Sequence, residues 1–239
     1  MIVLGVDTSG KTLSVAVSRD RAMLAEFSLA TGYRHALTFQ PAVDDLLRRC
    51  DLTLADVGLF AVTVGPGSFT GIRIGLSSVE TMAYAVGAKT IGVSSLRALA
   101  RSAGGLSSFT VPVLDARGGR VYSTIYQDGE RLIEEKPRSV ADLIEALSRN
   151  VRSETHILVT GDGVPLMEEA MKLGFVQASE LAFQITFAPP CGRFIRASAV
   201  SELALDDLEE GMAETDPFLL EAEYVLPSSA ERAKHRTHD

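Results

Sequence analysis

Two short stretches hold the residue types from which a phosphate or a metal could be gripped. The first is "DTSGKTLS" at 7–14. Asp7, Thr8 and Ser9 could hold a magnesium-bound water and donate to phosphate oxygens, and a row of amides around Gly10 would add an anion nest. The same residues favour a plain hairpin turn with local hydrogen bonds, and composition leaves the two readings level. The second is "VGPGSFTGIRIGLSSVE" at 64–80, with glycines at 65, 67, 71 and 75. It lacks the Lys-Ser or Lys-Thr of a Walker loop and the spacing of the dinucleotide fingerprint. Gly71 and Gly75 fall inside an expected helix, where each costs about 0.8–1 kcal/mol relative to alanine. A phosphate loop does not require them there. Glycines at i and i+4 leave a bare stripe, prolonged by Ser78, along which another backbone can come close. The neighbour is either the sheet of the same unit or a helix of another subunit, and spacing does not separate the two.

Other chemistry is sparse. Of the four histidines, His235 and His238 fall in the polar end "AERAKHRTHD", expected to be a disordered tail from 232 to 239. His35 opens a helix and His156 a strand, without carboxylate or cysteine at ligand spacing. Asp44-Asp45 and Asp206-Asp207 read as solvated helix faces. Asp115 is the one candidate for a general base, and it reads equally as a turn residue paired with Arg117. Cys50 and Cys191 form neither a disulfide framework nor a zinc motif.

The 239 residues are 46% hydrophobic and 23% charged, enough for one large domain or two small ones. A net charge of −8 argues against a broad basic surface for nucleic acid. The start "MIVLGVDTSG" has no basic segment before a short apolar run, so no membrane span and a cytoplasmic location are expected.

The elements that must position these residues follow a repeated order. Residues 2–8, 13–19 and 22–29 alternate as three strands of a meander, followed by a helix at 35–49 that contains Pro41, a buried strand "GLFAVTVG" and a helix at 68–86. After a linker "SAGGLSS" at 102–108, "TVPVLDA", "RVYSTIYQ" and "RLIEEK" read as strands, "SVADLIEALSR" as a helix, "HILVTGDG" as a strand and "VPLMEEAMKLG" as a helix. That is β-β-β-α-β-α twice. It predicts an α/β chain with the two-lobe architecture of actin, Hsp70 and the sugar kinases (ASKHA). The first lobe is 1–105, completed by 210–231, and the second is 106–209; the lobe of the segment after Cys191 stays open, since "SAVSELALDDLEEG" is apolar enough to return to the first. In that architecture phosphates lie between the 7–9 turn and a matching second-lobe turn, here Gly161-Asp162-Gly163.

"DTS" after the first strand, "GPGSFTGIRIG", "GVSSLRALA", "DARGGRVY" and "YVLPSSAE" together resemble the bacterial TsaB family, and the likeness runs from Ile2 to about Glu231. The resemblance implies a subunit for making threonylcarbamoyladenosine in tRNA, working beside a catalytic paralogue, TsaD, which holds the metal. TsaD-like chains carry a His-x-x-x-His pair in the segment where this sequence has Ser95 and Leu99. Serine is a weak ligand and leucine none, so no metal and no catalytic residue is expected. The implied role is a non-catalytic scaffold that binds and orders TsaD, with the ATPase TsaE as a further partner, a homodimer when TsaD is absent, and tRNA met only through the complex. No cofactor is expected on the isolated chain, with ATP held only weakly or at the junction of the complex. In the family the two first-lobe helices form the partner bundle. This implies an interface of Leu37, Val43, Gly71, Gly75, Ser78 and Met82. The competing expectations are an ATP-dependent phosphotransferase using Asp7 and the second-lobe turn, and a metallopeptidase, which the lack of clustered ligands disfavours.

Overall fold

In a computed structural model, which describes residues 1–30, 32, 34–104, 108–174 and 182–223, the chain builds two sheets of matching plan. The tail at 232–239 and its histidines lie outside the described residues. In the first unit, β1 (Ile2–Asp7), β2 (Leu13–Arg19) and β3 (Ala22–Leu29) pair antiparallel. β4 (Val57–Gly65) and β5 (Lys89–Ser94) extend the sheet parallel to β1, in the order β3-β2-β1-β4-β5. Helices α1 (His35–Arg49) and α2 (Phe69–Val86) cover one face. Their apolar residues meet Leu4, Val6, Val15, Val17, Phe60 and Val62 of the sheet in one core. α1 runs through Pro41 without interruption. α2 starts at Ser68, whose Oγ accepts from the Gly71 amide at 3.3 Å, and stops at Gly87 in the left-handed region (φ 67°).

The chain crosses to the second unit through α3 (Ser95–Ser102). There β6 (Phe109–Arg117) pairs antiparallel with β7 (Arg120–Ser123), a small hairpin of β8 (Tyr126–Gln127) and β9 (Glu130–Arg131) branches off, and β10 (Lys136–Ser139) pairs with β7. β11 (His156–Thr160) and β12 (Gln184–Phe187) lie parallel to β6. The order β10-β7-β6-β11-β12 repeats that of the first sheet position for position. α4 (Val140–Asn150), opened by a Ser139/Asp142 capping box, and α5 (Val164–Lys172) close its core.

Three details correct the reading from sequence. Each unit carries one more parallel strand than expected, β5 and β12. The stretch "RVYSTIYQ" is two strands, because the chain leaves β7 after Ser123 to form the hairpin. And "RLIEEK" is not a strand of its own, since only Arg131 falls in β9 and Lys136 in β10. α6 (Ala197–Glu209), whose lobe the sequence left open, returns to the first sheet, where it packs on β1, β2 and β5. Gly5 makes this possible: a Cβ there would collide with Ser201 Oγ and the Ala197 carbonyl, so only glycine lets α6 lie this close to β1. α3 and α6 fill the space between the sheets, with Leu96, Leu99, Val200 and Leu203 meeting Leu59 and Val93 of one unit and Leu114 and Tyr122 of the other.

Candidate functional site

The turn after β1 is built from the inside. Asp7 ends the strand fully buried, and its Oδ1 accepts from the Ser9 amide (3.0 Å), Ser9 Oγ (2.6 Å) and Thr63 Oγ1 of β4 (2.7 Å). Burial pushes its carboxyl above the ordinary range, against the pull of these bonds and of His35. Thr8 Oγ1 donates to the Gly71 carbonyl (2.8 Å), the Ser68 amide donates to the Ser9 carbonyl (2.7 Å), and His35 Nε2 lies 2.8 Å from the Gly10 carbonyl. The turn is thus gripped by the first turns of both α1 and α2.

This geometry answers the question left by the glycines. A Cβ on Gly71 would strike the Thr8 carbonyl, and one on Gly75 would strike Thr8 Oγ1 and press on Val62. The bare stripe receives the molecule's own β1–β2 turn, and the expected outward-facing stripe is corrected. Val43 and Met82 are likewise buried in the first core. Of the expected interface, Leu37 is 69% exposed and Ser78 is half-buried. The outward side of α2 is instead Arg73, Ser77, Thr81 and Tyr84.

In the second unit the Asp115 amide donates to Asp162 Oδ1 (2.9 Å), and Asp115 Oδ1 accepts from the Arg117 amide (2.8 Å). Asp115 is exposed and its carboxylate also faces Arg117 Nη1 at 3.9 Å, the local pairing weighed against a general base. Burial raises the Asp162 carboxyl against the pull of the Asp115 amide, of Lys11 in the first-unit turn and of Arg117, while the Asp115 charge adds to the rise. Both turns bond some of their amides within the protein, Ser9 N to Asp7 Oδ1 in the first. Gly163 N reaches the Val113 carbonyl (3.1 Å), Val164 N the Gly161 carbonyl (3.2 Å), and a Cβ on Gly161 or Gly163 would meet Val113. Of the two cradles only Gly10 opens onto free space.

Ser95 and Leu99 sit one turn apart on α3, both fully buried. Leu99 belongs to the apolar layer between the sheets, and Ser95 Oγ has no hydrogen-bond partner among the described residues. A leucine offers no donor atom, so this pair does not fit a metal. Among the described residues no three His, Cys, Asp or Glu side chains gather, and no helix is long and apolar enough to cross a membrane.

Two sheets of matching strand order, each with helices, define an α/β chain of the ASKHA type. The backbone of a Pseudomonas aeruginosa protein described as similar to peptidase YeaZ superposes with a TM-score of 0.74 at 23% identity, covering 94% of this chain and 99% of that one. Component A of the Acidaminococcus fermentans (R)-2-hydroxyglutaryl-CoA dehydratase gives 0.53 at 12% identity, over 87% and 99%. A family model described as "TsaD: tRNA N6-adenosine threonylcarbamoyltransferase" matches residues 30–195. The tRNA threonylcarbamoyladenosine biosynthesis protein TsaB of Bacillus subtilis is 35% identical over 156 residues, 64% of this chain and 68% of that protein. Its Escherichia coli namesake is 36% identical over 132 residues, 54% and 57%. The chain belongs to the TsaB (YeaZ) family.

Proposed function

We propose that this chain is a non-catalytic subunit in the synthesis of threonylcarbamoyladenosine on tRNA, acting in the cytoplasm by binding and ordering a TsaD-type partner. The observation that carries the reading is the core position of Ser95 and Leu99. The helix that supplies ligands in TsaD-like chains here supplies apolar packing between the sheets. The Ser9, Gly163 and Val164 amides are bonded within the protein, which agrees with a chain that handles no nucleotide alone. Leu37 on α1 and the outward side of α2 offer the partner face, with self-pairing in the absence of TsaD. TsaE and tRNA join through the complex.

The test is reconstitution with the cognate TsaD. The wild-type chain should co-elute with TsaD in size exclusion and stimulate threonylcarbamoyl transfer, whereas Leu37→Asp should lose co-elution while keeping its unfolding midpoint. Transfer by this chain alone would end the reading. The competing phosphotransferase reading rests on the open space over Gly10 in the turn that carries Lys11. It requires magnesium-dependent ATP binding by the isolated chain, lost in Lys11→Ala.

A further inference from the structure

Of the large apolar side chains that the described residues expose, three stand together. Tyr84 near the end of α2 is 69% exposed, and its ring lies 5.3 Å from that of Phe218, itself 57% exposed, beside Leu219 at 61%. Floppiness does not explain this display. Residues 217–219 form a single helical turn capped by Asp216, whose Oδ1 accepts from the Phe218 amide at 3.0 Å. Pro217 is buried on one side of the turn and Leu220 packs into the first core on the other. The backbone is pinned at both ends so that Phe218 and Leu219 point outward, which removes in advance much of the ordering cost of a contact.

The charge around them is one-sided. From Glu209 to Glu223 the chain has six carboxylates and no lysine, arginine or histidine. Of these, Glu214, Asp216 and Glu221 flank the capped turn, and Glu80 lies one helical turn before Tyr84. Lys89, next to Thr90 at the bridge to Glu214, is the cation closest in the pairing scheme. An apolar patch inside an acidic rim selects its occupant. A second copy on a two-fold axis would set the patch against itself and bring acidic rim to acidic rim. An anionic lipid surface is repelled for the same reason.

We infer that Phe218 and Leu219, joined to Tyr84, extend the docking surface for the TsaD-type partner and accept an apolar segment of it bordered by lysine or arginine. The inference rests on the partner reading above and carries its interface along the outward side of α2 past Tyr84 to the 217–219 turn.

The experiment is calorimetric titration of the full chain with cognate TsaD at low and high salt. Wild-type affinity should fall as salt rises. Phe218→Ser with Leu219→Ser should weaken binding at least tenfold with an unchanged unfolding midpoint, since both side chains are exposed. Glu221→Lys, which leaves the apolar residues intact, should weaken it several-fold and flatten the salt dependence. Variants at 218 and 219 that bind like wild type while Leu37→Asp does not would overturn this surface and leave the partner reading standing. A wild-type chain that never associates with TsaD overturns both. Variants that lose only self-association would make a second copy the occupant, and a rise in apolar dye binding on removing residues 224–239 would make the chain's own end the occupant; either result overturns the inference.

Discussion

At the scale of single residues, Asp7 shows how a position with the right chemistry can be spent on structure. Its carboxyl is buried, and burial raises its protonation range above that of an unfolded aspartate despite the bonds from Ser9 and Thr63. A raised carboxyl binds its proton more readily in the folded state. Its contribution is therefore fully present below the ordinary aspartate range and declines as pH climbs through the raised folded value. Asp7→Asn keeps an oxygen for Ser9 and Thr63 and removes the charge. Urea unfolding between pH 4 and 8 should show the variant gaining on wild type as pH rises, with the two converging toward acid pH. The sequence named Asp7, Thr8 and Ser9 correctly as a cluster. It did not reveal that Thr63 and His35, from elements 56 and 28 residues further on, complete the environment. Only the parallel pairing of β1 with β4 and the seat of α1 bring them there.

At the scale of elements, the contact between α2 and the β1–β2 turn decides what the glycines are for. Gly75→Leu should cost about 3 kcal/mol, the upper end of overpacking penalties, because Thr8 and the sheet leave no room even for a Cβ. Chemical denaturation reads this directly, and partner binding by the fraction still folded should be unaffected. The stripe was legible in the spacing, but its direction was misassigned. The signal lay in the company the glycines keep. Ile72, Leu76, Val79 and Ala83 share their side of the helix, while Arg73, Ser77 and Thr81 occupy the other. The meander, α1, β4 and α2 were readable from period and punctuation alone. β5 and β12 were not, since strands of six and four residues between helices give too short a pattern to stand out. The split of β7 and β8 was hidden because both pieces are apolar and continuous in sequence.

At the scale of the molecule, the two units are joined by α3, α6 and the layer they share. Ion pairs join α3 to α6 in that seam, and the most buried is that of Arg97 with Asp207 at 2.7 Å, where the aspartate side chain is almost wholly buried. Removing the guanidinium would strand the carboxylate, so Arg97→Ala should cost about 3–5 kcal/mol. An Arg97→Ala, Asp207→Asn double variant should recover part of that loss, as a four-way unfolding cycle can measure. The duplicated plan was visible in the sequence as two similar strings of elements. The return of α6 was legible only as an open alternative, because an apolar helix carries no mark of which sheet it will cover; Gly5, the position that admits it, lies almost two hundred residues away.

The crossing helices have a topological corollary. α3 ends at Ser102, and the chain comes back at Arg196, whose amide donates to Ser102 Oγ at 2.9 Å. Everything between those two residues is a guest lodged in a host whose door is one hydrogen bond wide. A few small residues bridging that door could shut the host without stretching it. Equally, a foreign module with neighbouring ends could be threaded into the same opening.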